Sequence, residues 1–145
     1  MTILLNVFCI ENNFKVDCFC LNMAEGKFAT SVSCIDGRIQ APLTKWIKEN
    51  YLIDFVDVIT EPGVDRMVAE NSDLESIKTK VGISINAHKS KLIAVSGHYD
   101  CAGNPVSDEE HISQIRKGVE VISSWGLNVK VIGIWIDDSW NVNVL

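Results

Sequence analysis

The chain has 145 residues, a formal net charge of −6 and 47% hydrophobic residues, a composition typical of one globular domain. The Lys and Arg residues are scattered, so we expect no nucleic-acid partner. No apolar run approaches the roughly 20 residues of a membrane span, and the amino terminus lacks the basic region and cleavage site of a signal peptide. Five Cys residues without an export signal predict reduced thiols in a cytoplasmic protein rather than a disulfide framework.

Four short segments rich in β-branched residues and bounded by turn residues predict the strands of one sheet. They are residues 28–33, 55–60, 91–96 and 129–136. After the first strand, Pro42 predicts a short helix through Trp46 and Ile47, because proline suits a first helical turn.

Two capping boxes predict the starts of two further helices. The first runs from Ser72 to Glu75, and behind it one helical face is apolar at Leu74, Ile77, Val81 and Ile85. The second runs from Ser107 to Glu110 and is followed by an apolar face at Ile112, Ile115, Val119 and Ile122, with Gly126 as the stop. Alternating strands and helices favour a three-layer α/β domain, in which a four-stranded, mainly parallel sheet carries helices on both faces.

Residues 1–27 do not continue this alternation, whereas residues 28–145 are predicted to form a single domain. Three interpretations of the first 27 residues stay open: a hairpin, an arm that packs on a partner, or an extension upstream of a chain that begins at Met23. Cys18 and Cys20 form a Cys-x-Cys pair near Cys9. A second metal site there would need two more ligands, so free thiols are the favoured interpretation.

The remaining imidazole and indole side chains are assigned no chemistry. His88 and His111 fall on predicted helices, and we expect both on exposed faces. Trp46, Trp125 and Trp135 fall in apolar segments, and we expect them to pack in the core.

Two short motifs supply the side chains of a metal centre. Cys34-Ile35-Asp36-Gly37-Arg38 follows the first predicted strand, and His98-Tyr99-Asp100-Cys101 follows the third. If these two strands are neighbours, residues at their carboxyl ends converge on one edge of the sheet. A lone Cys at a strand end is usually a buried thiol, but two Cys and one His can hold a zinc ion and leave its fourth position open.

In this order and at these strand ends, the two motifs resemble those of the β-class carbonic anhydrases, which carry Cys-x-Asp-x-Arg after the first strand and His-x-x-Cys after the third. The resemblance covers about residues 28–145. It implies a zinc ion held by Cys34, His98 and Cys101. It also implies a lyase that hydrates carbon dioxide reversibly to bicarbonate by zinc hydroxide, built as a homodimer or a higher homo-oligomer.

The same resemblance implies catalytic roles for Asp36 and Arg38. Asp36 would orient the hydroxide, and Arg38 would hold Asp36 ionised through a bidentate pair. If that pair breaks, Asp36 could move onto the zinc and close the site. Alternatively, the two residues form only a structural ion pair that closes a turn. Asp100 is either an acceptor for His98 or a solvated side chain.

The chain departs from the family pattern at several positions. Thr60-Glu61-Pro62-Gly63 replaces an Arg-Asn-Ala-Gly segment, Ala102 replaces a glycine, Gly37 replaces Ser or Ala, and Gln40 is misplaced for a substrate-orienting Gln. Two other functions therefore stay open. One is hydrolysis of carbon disulfide or carbonyl sulfide at the same centre. The other is a non-catalytic, zinc-stabilised binding module with Asp36 as the fourth ligand.

Overall fold

A computed structural model describes residues 25–145, which form five strands and four helices. In chain order the elements are β1 (Phe28–Ser33), α1 (Gly37–Tyr51), β2 (Phe55–Thr60), α2 (Val64–Ala69), α3 (Glu75–His88), β3 (Leu92–His98), α4 (Asp108–Ser123), β4 (Lys130–Ile136) and β5 (Val142–Val144). Residues 1–24, and with them the interpretations of Cys9, Cys18 and Cys20, lie outside the described residues. Within residues 25–145, no helix is both long and apolar enough to cross a membrane.

The five strands form one sheet in the order β2-β1-β3-β4-β5, and only β5 is antiparallel to its neighbour. The predicted α/β class with a mainly parallel sheet is confirmed. The fifth strand was not predicted, because three residues are too few for a periodic pattern. Asp137 builds the turn before it, since its Oδ1 accepts the backbone N–H groups of Ser139 and Asn141 at 3.0 and 2.9 Å.

Helices cover both faces of the sheet, as predicted. On one face, α1 buries three side chains against the central strands: Ile39, Leu43 and Ile47. On the other face, α2, α3 and α4 pack on the opposite side chains of β1 and β3, among them Val32, Ile93 and Val95. Trp135 is buried, and Trp46 and Trp125 pack against the two clusters, as expected. The loops that follow β1 and β3 meet at the carboxyl ends of these two strands.

The predicted start of the first helix was wrong. Helix α1 begins at Gly37, and Pro42 lies inside it. The true signal is Asp36, which is the N-cap residue and whose Oδ1 accepts the backbone N–H of Arg38 at 2.9 Å. The helix therefore starts directly after the Cys34 segment, and its first turn carries Arg38 and Gln40.

The two predicted capping boxes had different outcomes. Ser107 caps α4, because its Oγ accepts the backbone N–H of Glu110 at 3.3 Å. The box at Ser72 was wrong: Leu74 is the N-cap of α3, and the Ser72 hydroxyl donates to the carbonyl oxygen of Met67 at 3.4 Å. Met67 belongs to α2, a six-residue helix that was not predicted. Such a helix is too short to show an apolar face in sequence.

Candidate metal centre

Three side chains converge at the carboxyl edge of β1 and β3. One ligand atom each from Cys34, His98 and Cys101 lies within 4.8 Å of the others, and the two sulfurs are 3.7 Å apart. All three residues are buried. Strands β1 and β3 are parallel neighbours, which is the arrangement that brings their carboxyl ends together. His98 is the last residue of β3, whereas the predicted strand ended at Ser96.

The tautomer of His98 is set by a backbone carbonyl. Its Nδ1 lies 2.8 Å from the carbonyl oxygen of Tyr99, and because a carbonyl only accepts, Nδ1 carries the proton. The backbone N–H of Tyr99 in turn donates to the carbonyl oxygen of Ile136 in β4 at 2.9 Å. In neutral His98 the Nε2 lone pair is therefore free to bind a metal.

That Nε2 atom is buried and has no hydrogen-bond partner among residues 25–145. A buried polar atom left unpaired costs free energy, so this nitrogen indicates a ligand. A borderline-soft ion such as zinc accepts one imidazole and two thiolates. The histidine that donates Nδ1–H to a carbonyl is also typical of metal ligation. The chemistry of the three side chains fits zinc.

The two thiols differ in acidity. Burial alone would raise the pKa of the Cys34 thiol, but its interactions with His98 and with the backbone N–H groups of Gly63 and Asp36 lower the pKa to about 7. Burial and the neighbouring charge of Cys34 raise the pKa of Cys101. The pKa of His98 is raised against the effect of burial by its interactions with Cys34 and Tyr99. Cys34 is thus the thiol that ionises first.

Asp36 and Arg38 form an ion pair at the rim of this centre. The Arg38 Nη2 lies 2.6 Å from Asp36 Oδ2, and its Nε lies 3.1 Å from both carboxylate oxygens. The hydrogen bond from Arg38 holds the pKa of Asp36 down, to about 2, and Asp36 raises the pKa of the guanidinium. Asp36 therefore stays an ionised acceptor across the neutral range.

Arg38 has two further partners that the sequence did not reveal. Its Nη1 lies 3.2 Å from Asp100 Oδ2, and its guanidinium carbon lies 4.9 Å from the ring centroid of Trp140. Of the two expected roles of Asp100, acceptance from His98 was wrong, because the His98 proton points to Tyr99. Asp100 is solvent-exposed, as in the second expectation, and it also contacts Arg38. The sequence around Trp140 could not predict this contact, because it depends on the turn after β4, which brings Trp140 back over Arg38.

Gln40 ties the metal-binding segment to α1. Its Nε2 donates to the carbonyl oxygens of Cys34 at 2.7 Å and of Asp36 at 3.0 Å. Gln40 thus holds the backbone that precedes α1.

The two segments that depart from the family pattern lie against each other. A Cβ added at Gly63, whose φ is +58°, would lie 2.6 Å from the carbonyl oxygen of Gly103, so both backbones need glycine here. The backbone N–H groups of Gly63 near Cys34 and of Gly103 near Cys101 act to lower the pKa of the two thiols. Backbone N–H groups of this kind stabilise thiolates.

The expectation that His111 is exposed was wrong. It is buried, and its Nδ1 donates to Oδ2 of the equally buried Asp65 in α2. The buried face of α4 consists of His111, Ile115, Gly118 and Ile122. The apolar pattern started this face at Ile112, one position too late, and so excluded the histidine. His88 is half-exposed, and its Nδ1 lies 2.7 Å from Asp57.

Comparisons with known proteins agree with this architecture. A protein-family model described as "Putative carbonic anhydrase" matches residues 24–145. No curated protein sequence matches the chain significantly.

Among solved structures, a β-carbonic anhydrase from Trichomonas vaginalis is 16% identical with a TM-score of 0.58, covering 84% of this chain and 85% of that one. A tetrameric β-carbonic anhydrase from Sordaria macrospora is 13% identical with a TM-score of 0.58, covering 84% and 82%. A carbonic anhydrase from Glaciozyma antarctica is 12% identical with a TM-score of 0.53, covering 79% and 80%. The TM-scores and coverages establish the fold, and the family match covers the described residues. The chain therefore belongs to this carbonic anhydrase family and has the β-carbonic anhydrase fold.

Proposed function

We propose that the protein is a zinc-dependent lyase that hydrates carbon dioxide reversibly to bicarbonate. The observation that carries the proposal is the Asp36–Arg38 ion pair directly beside the buried Cys34, His98 and Cys101 cluster. Family membership and fold point to the same reaction class.

In the proposed centre, Cys34, His98 and Cys101 hold the zinc ion. Zinc in such a site lowers the pKa of a bound water to about 7, which makes a hydroxide nucleophile available near neutral pH. With three protein ligands, a bound zinc ion would have room for that water. Two thiolates neutralise the formal charge of the ion, so the surrounding side chains must contribute to orienting the nucleophile.

Asp36 supplies that orientation. Its carboxylate would accept a hydrogen bond from the attacking oxygen nucleophile and direct an oxygen lone pair towards the carbon of the substrate. Arg38 fixes the carboxylate from the other side and keeps it ionised, because the pKa of Asp36 is lowered to about 2. The proton that the water loses when it becomes the nucleophile passes to solvent or buffer at the exposed rim, where the Arg38 side chain is 47% exposed.

The same ion pair favours catalysis over a purely structural zinc site. A module with Asp36 as a permanent fourth ligand requires the carboxylate to turn away from Arg38. In the structure both carboxylate oxygens are hydrogen-bonded to Arg38 instead.

Metal content and activity measured on one sample test this proposal. We expect about one zinc per chain and carbon dioxide hydration above the uncatalysed rate in a stopped-flow indicator assay. One zinc per chain without hydration would contradict the lyase. Sulfide release from carbonyl sulfide or carbon disulfide in a parallel anaerobic assay would then identify the hydrolase alternative.

We further propose that the protein self-associates and works in the cytoplasm. Ile35, next to a metal-ligating residue, is 62% exposed, and the edge strand β2 exposes Phe55 and Val58. Apolar side chains exposed in this way favour an interface between copies. A structural neighbour from Sordaria macrospora is described as tetrameric. Light scattering of the purified protein tests the oligomer, while a reducing compartment such as the cytoplasm would keep Cys34 and Cys101 as thiols.

A further inference from the structure

Behind the candidate metal centre lies a group of three buried polar side chains, Asp65, Asn104 and His111, which we call the α2–α4 polar cluster. Asp65 Oδ2 accepts from Nδ2 of Asn104 at 3.1 Å and from Nδ1 of His111. Asn104 Nδ2 also donates to Oε1 of Gln114 at 2.7 Å. The side chains of Asp65 and His111 are each 2% exposed.

Folding alone does not account for this cluster. Taking a carboxylate and its partners out of water costs several kcal/mol, and apolar residues of similar size are often as stable or more stable. The three members also belong to three different parts of the chain: α2, the loop after Cys101, and α4. Their hydrogen bonds therefore connect elements that packing alone leaves free to shift.

The cluster connects the loops that contain Gly63 and Gly103, and these two loops contact each other closely through backbone atoms. A Cβ added at Gly103 would lie 2.7 Å from the backbone nitrogen of Gly63. A Cβ added at Gly97, the residue before His98, would lie 2.8 Å from Oδ2 of Asp65. Asp65 therefore fits closely against the end of β3, two residues after Gly63 in sequence.

The loop after Cys101 is tied directly to a candidate ligand. The backbone N–H of Asn104 donates to the carbonyl oxygen of Cys101 at 3.1 Å, and the Asn104 side chain donates to Asp65. Hydrogen bonds around a metal-ligating residue orient its ligand atom. A small displacement of this loop would therefore move the sulfur of Cys101 without replacing a ligand.

We propose that the α2–α4 polar cluster is a positioning unit, which holds the Gly63 and Gly103 loops and the end of β3, and so keeps the ligand atoms of Cys101 and His98 in place. The inference rests on the proposed zinc centre. The cluster does not contact substrate: His111 is buried, and its Nδ1 is occupied by Asp65. It acts on metal affinity and on the metal–sulfur bonds.

Cobalt substitution of the full chain tests the inference, because cobalt–thiolate charge-transfer bands report directly on the sulfurs. Asp65→Asn replaces the charged acceptor with a weaker amide oxygen, and Asn104→Asp opposes two carboxylates, so each weakens the link. We expect either variant to shift the charge-transfer band and to weaken zinc binding about 10- to 100-fold in a chelator competition. The double variant D65N/N104D restores a donor–acceptor pair, and we expect most of both effects to be recovered.

A matched control is available at Asp57, which pairs with His88 away from the metal-ligating residues. Asp57→Asn breaks a second Asp–His pair, and we expect the cobalt spectrum and zinc affinity of the wild type. Asn104→Ala keeps the Asp65–His111 pair and removes the link between the loops, so it serves if Asp65→Asn does not fold.

Three results would overturn the inference. They are a wild-type spectrum and zinc affinity in the folded single variants, no recovery in the double variant, or equal effects from Asp57→Asn. A wild type that shows no cobalt–thiolate band contradicts the metal centre and the inference together. A wild type that shows the band but hydrates no carbon dioxide contradicts only the lyase, and the variants still decide the role of the cluster.

Discussion

The Nη2 of Arg38 lies 2.6 Å from Oδ2 of Asp36, two residues away, and the same carboxylate caps the helix on which Arg38 stands. Asp36 therefore starts the helix, forms the ion pair and provides the proposed catalytic acceptor within one local structure. Asp36 cannot leave Arg38 without also giving up the N–H that it accepts at the start of α1. This arrangement disfavours movement of Asp36 onto the metal.

Asp36→Asn separates metal binding from catalysis. An amide cannot serve as the ionised acceptor, so we expect hydration activity to fall about 100-fold or more, while one zinc per chain is retained because Asp36 is not one of the three ligands. Stopped-flow hydration and metal analysis on the same preparation check this. Asp73→Asn, an exposed acidic residue before α3, is the control and should match the wild type. Loss of zinc in Asp36→Asn would indicate that Asp36 binds the metal.

Cys34→Ser tests the metal centre itself. We expect the variant to lose zinc, because a hydroxyl does not replace a thiolate ligand at neutral pH. A chelator should lower the Tm of the wild type, since zinc stabilises the folded state by binding it. The same chelator should leave the Tm of Cys34→Ser unchanged in a calorimetric scan. Retained zinc in this variant would assign the metal to other residues.

Zinc affinity should increase with pH. Both sulfurs bind as thiolates, and the pKa values of Cys34 and Cys101 are about 7 and about 11. Above the pKa of Cys34 the Cys101 proton must still be displaced, so the apparent affinity should rise at least about tenfold per pH unit. Chelator competition at several pH values, with proton release followed by calorimetry, measures it. An affinity independent of pH would show that the thiols are not the ligands.

Trp140→Ala should weaken the hold on Arg38 without affecting zinc. The cation–π contact at an exposed site contributes about 0.5–1 kcal/mol, so we expect hydration to fall by a factor of about 2 to 5 and zinc content to stay at the wild-type level. Trp125→Ala removes a similar contact with Lys78, remote from the site, and is the matched control for activity. Equal activity losses in both variants would argue against a role of Trp140 at Arg38.

Gly63→Ala should destabilise the protein and disturb the centre. The φ of +58° and the 2.6 Å approach to Gly103 leave no room for a Cβ, and we expect a loss of about 2 kcal/mol or more. Gly82→Ala is the opposite case: within residues 25–145 no heavy atom outside its own helix and chain neighbours lies within 4 Å of its added Cβ, so stability should rise by about 0.5–1 kcal/mol. Urea unfolding measures both, and a neutral Gly63→Ala would show that the two loops can separate.

Much of the fold was accessible from sequence because its signals are local. The strands β1 and β2 are β-branched runs between turn residues, and their predicted bounds match the structure. The meeting of Cys34 with His98 followed from the rule that carboxyl ends of neighbouring parallel strands share an edge. Pro42 misled the prediction of α1, since proline signals a helix start more often than a helix interior.

The remainder depends on contacts that a linear pattern does not contain. His111 shares its helix face with Ile115, but a histidine breaks an apolar pattern even when it is buried, and its partner Asp65 lies in a helix too short to predict. Trp140 reaches Arg38 only because β5 folds back along β4. In both cases the contact joins residues that are far apart in sequence and that belong to no hydrophobic repeat.

The hydrogen bonds around Tyr99 have a consequence for how this site can evolve. Main-chain atoms alone connect β4 to His98: Ile136 receives the N–H of Tyr99, and the carbonyl of Tyr99 receives the Nδ1 proton. Backbone groups of Tyr99 and Ile136 thus fix which nitrogen of His98 is available to the proposed metal, whatever side chain stands at position 99. The side chain of Tyr99, which is exposed, is consequently free to change and to alter what approaches the centre, while Nε2 of His98 stays the nitrogen without a proton.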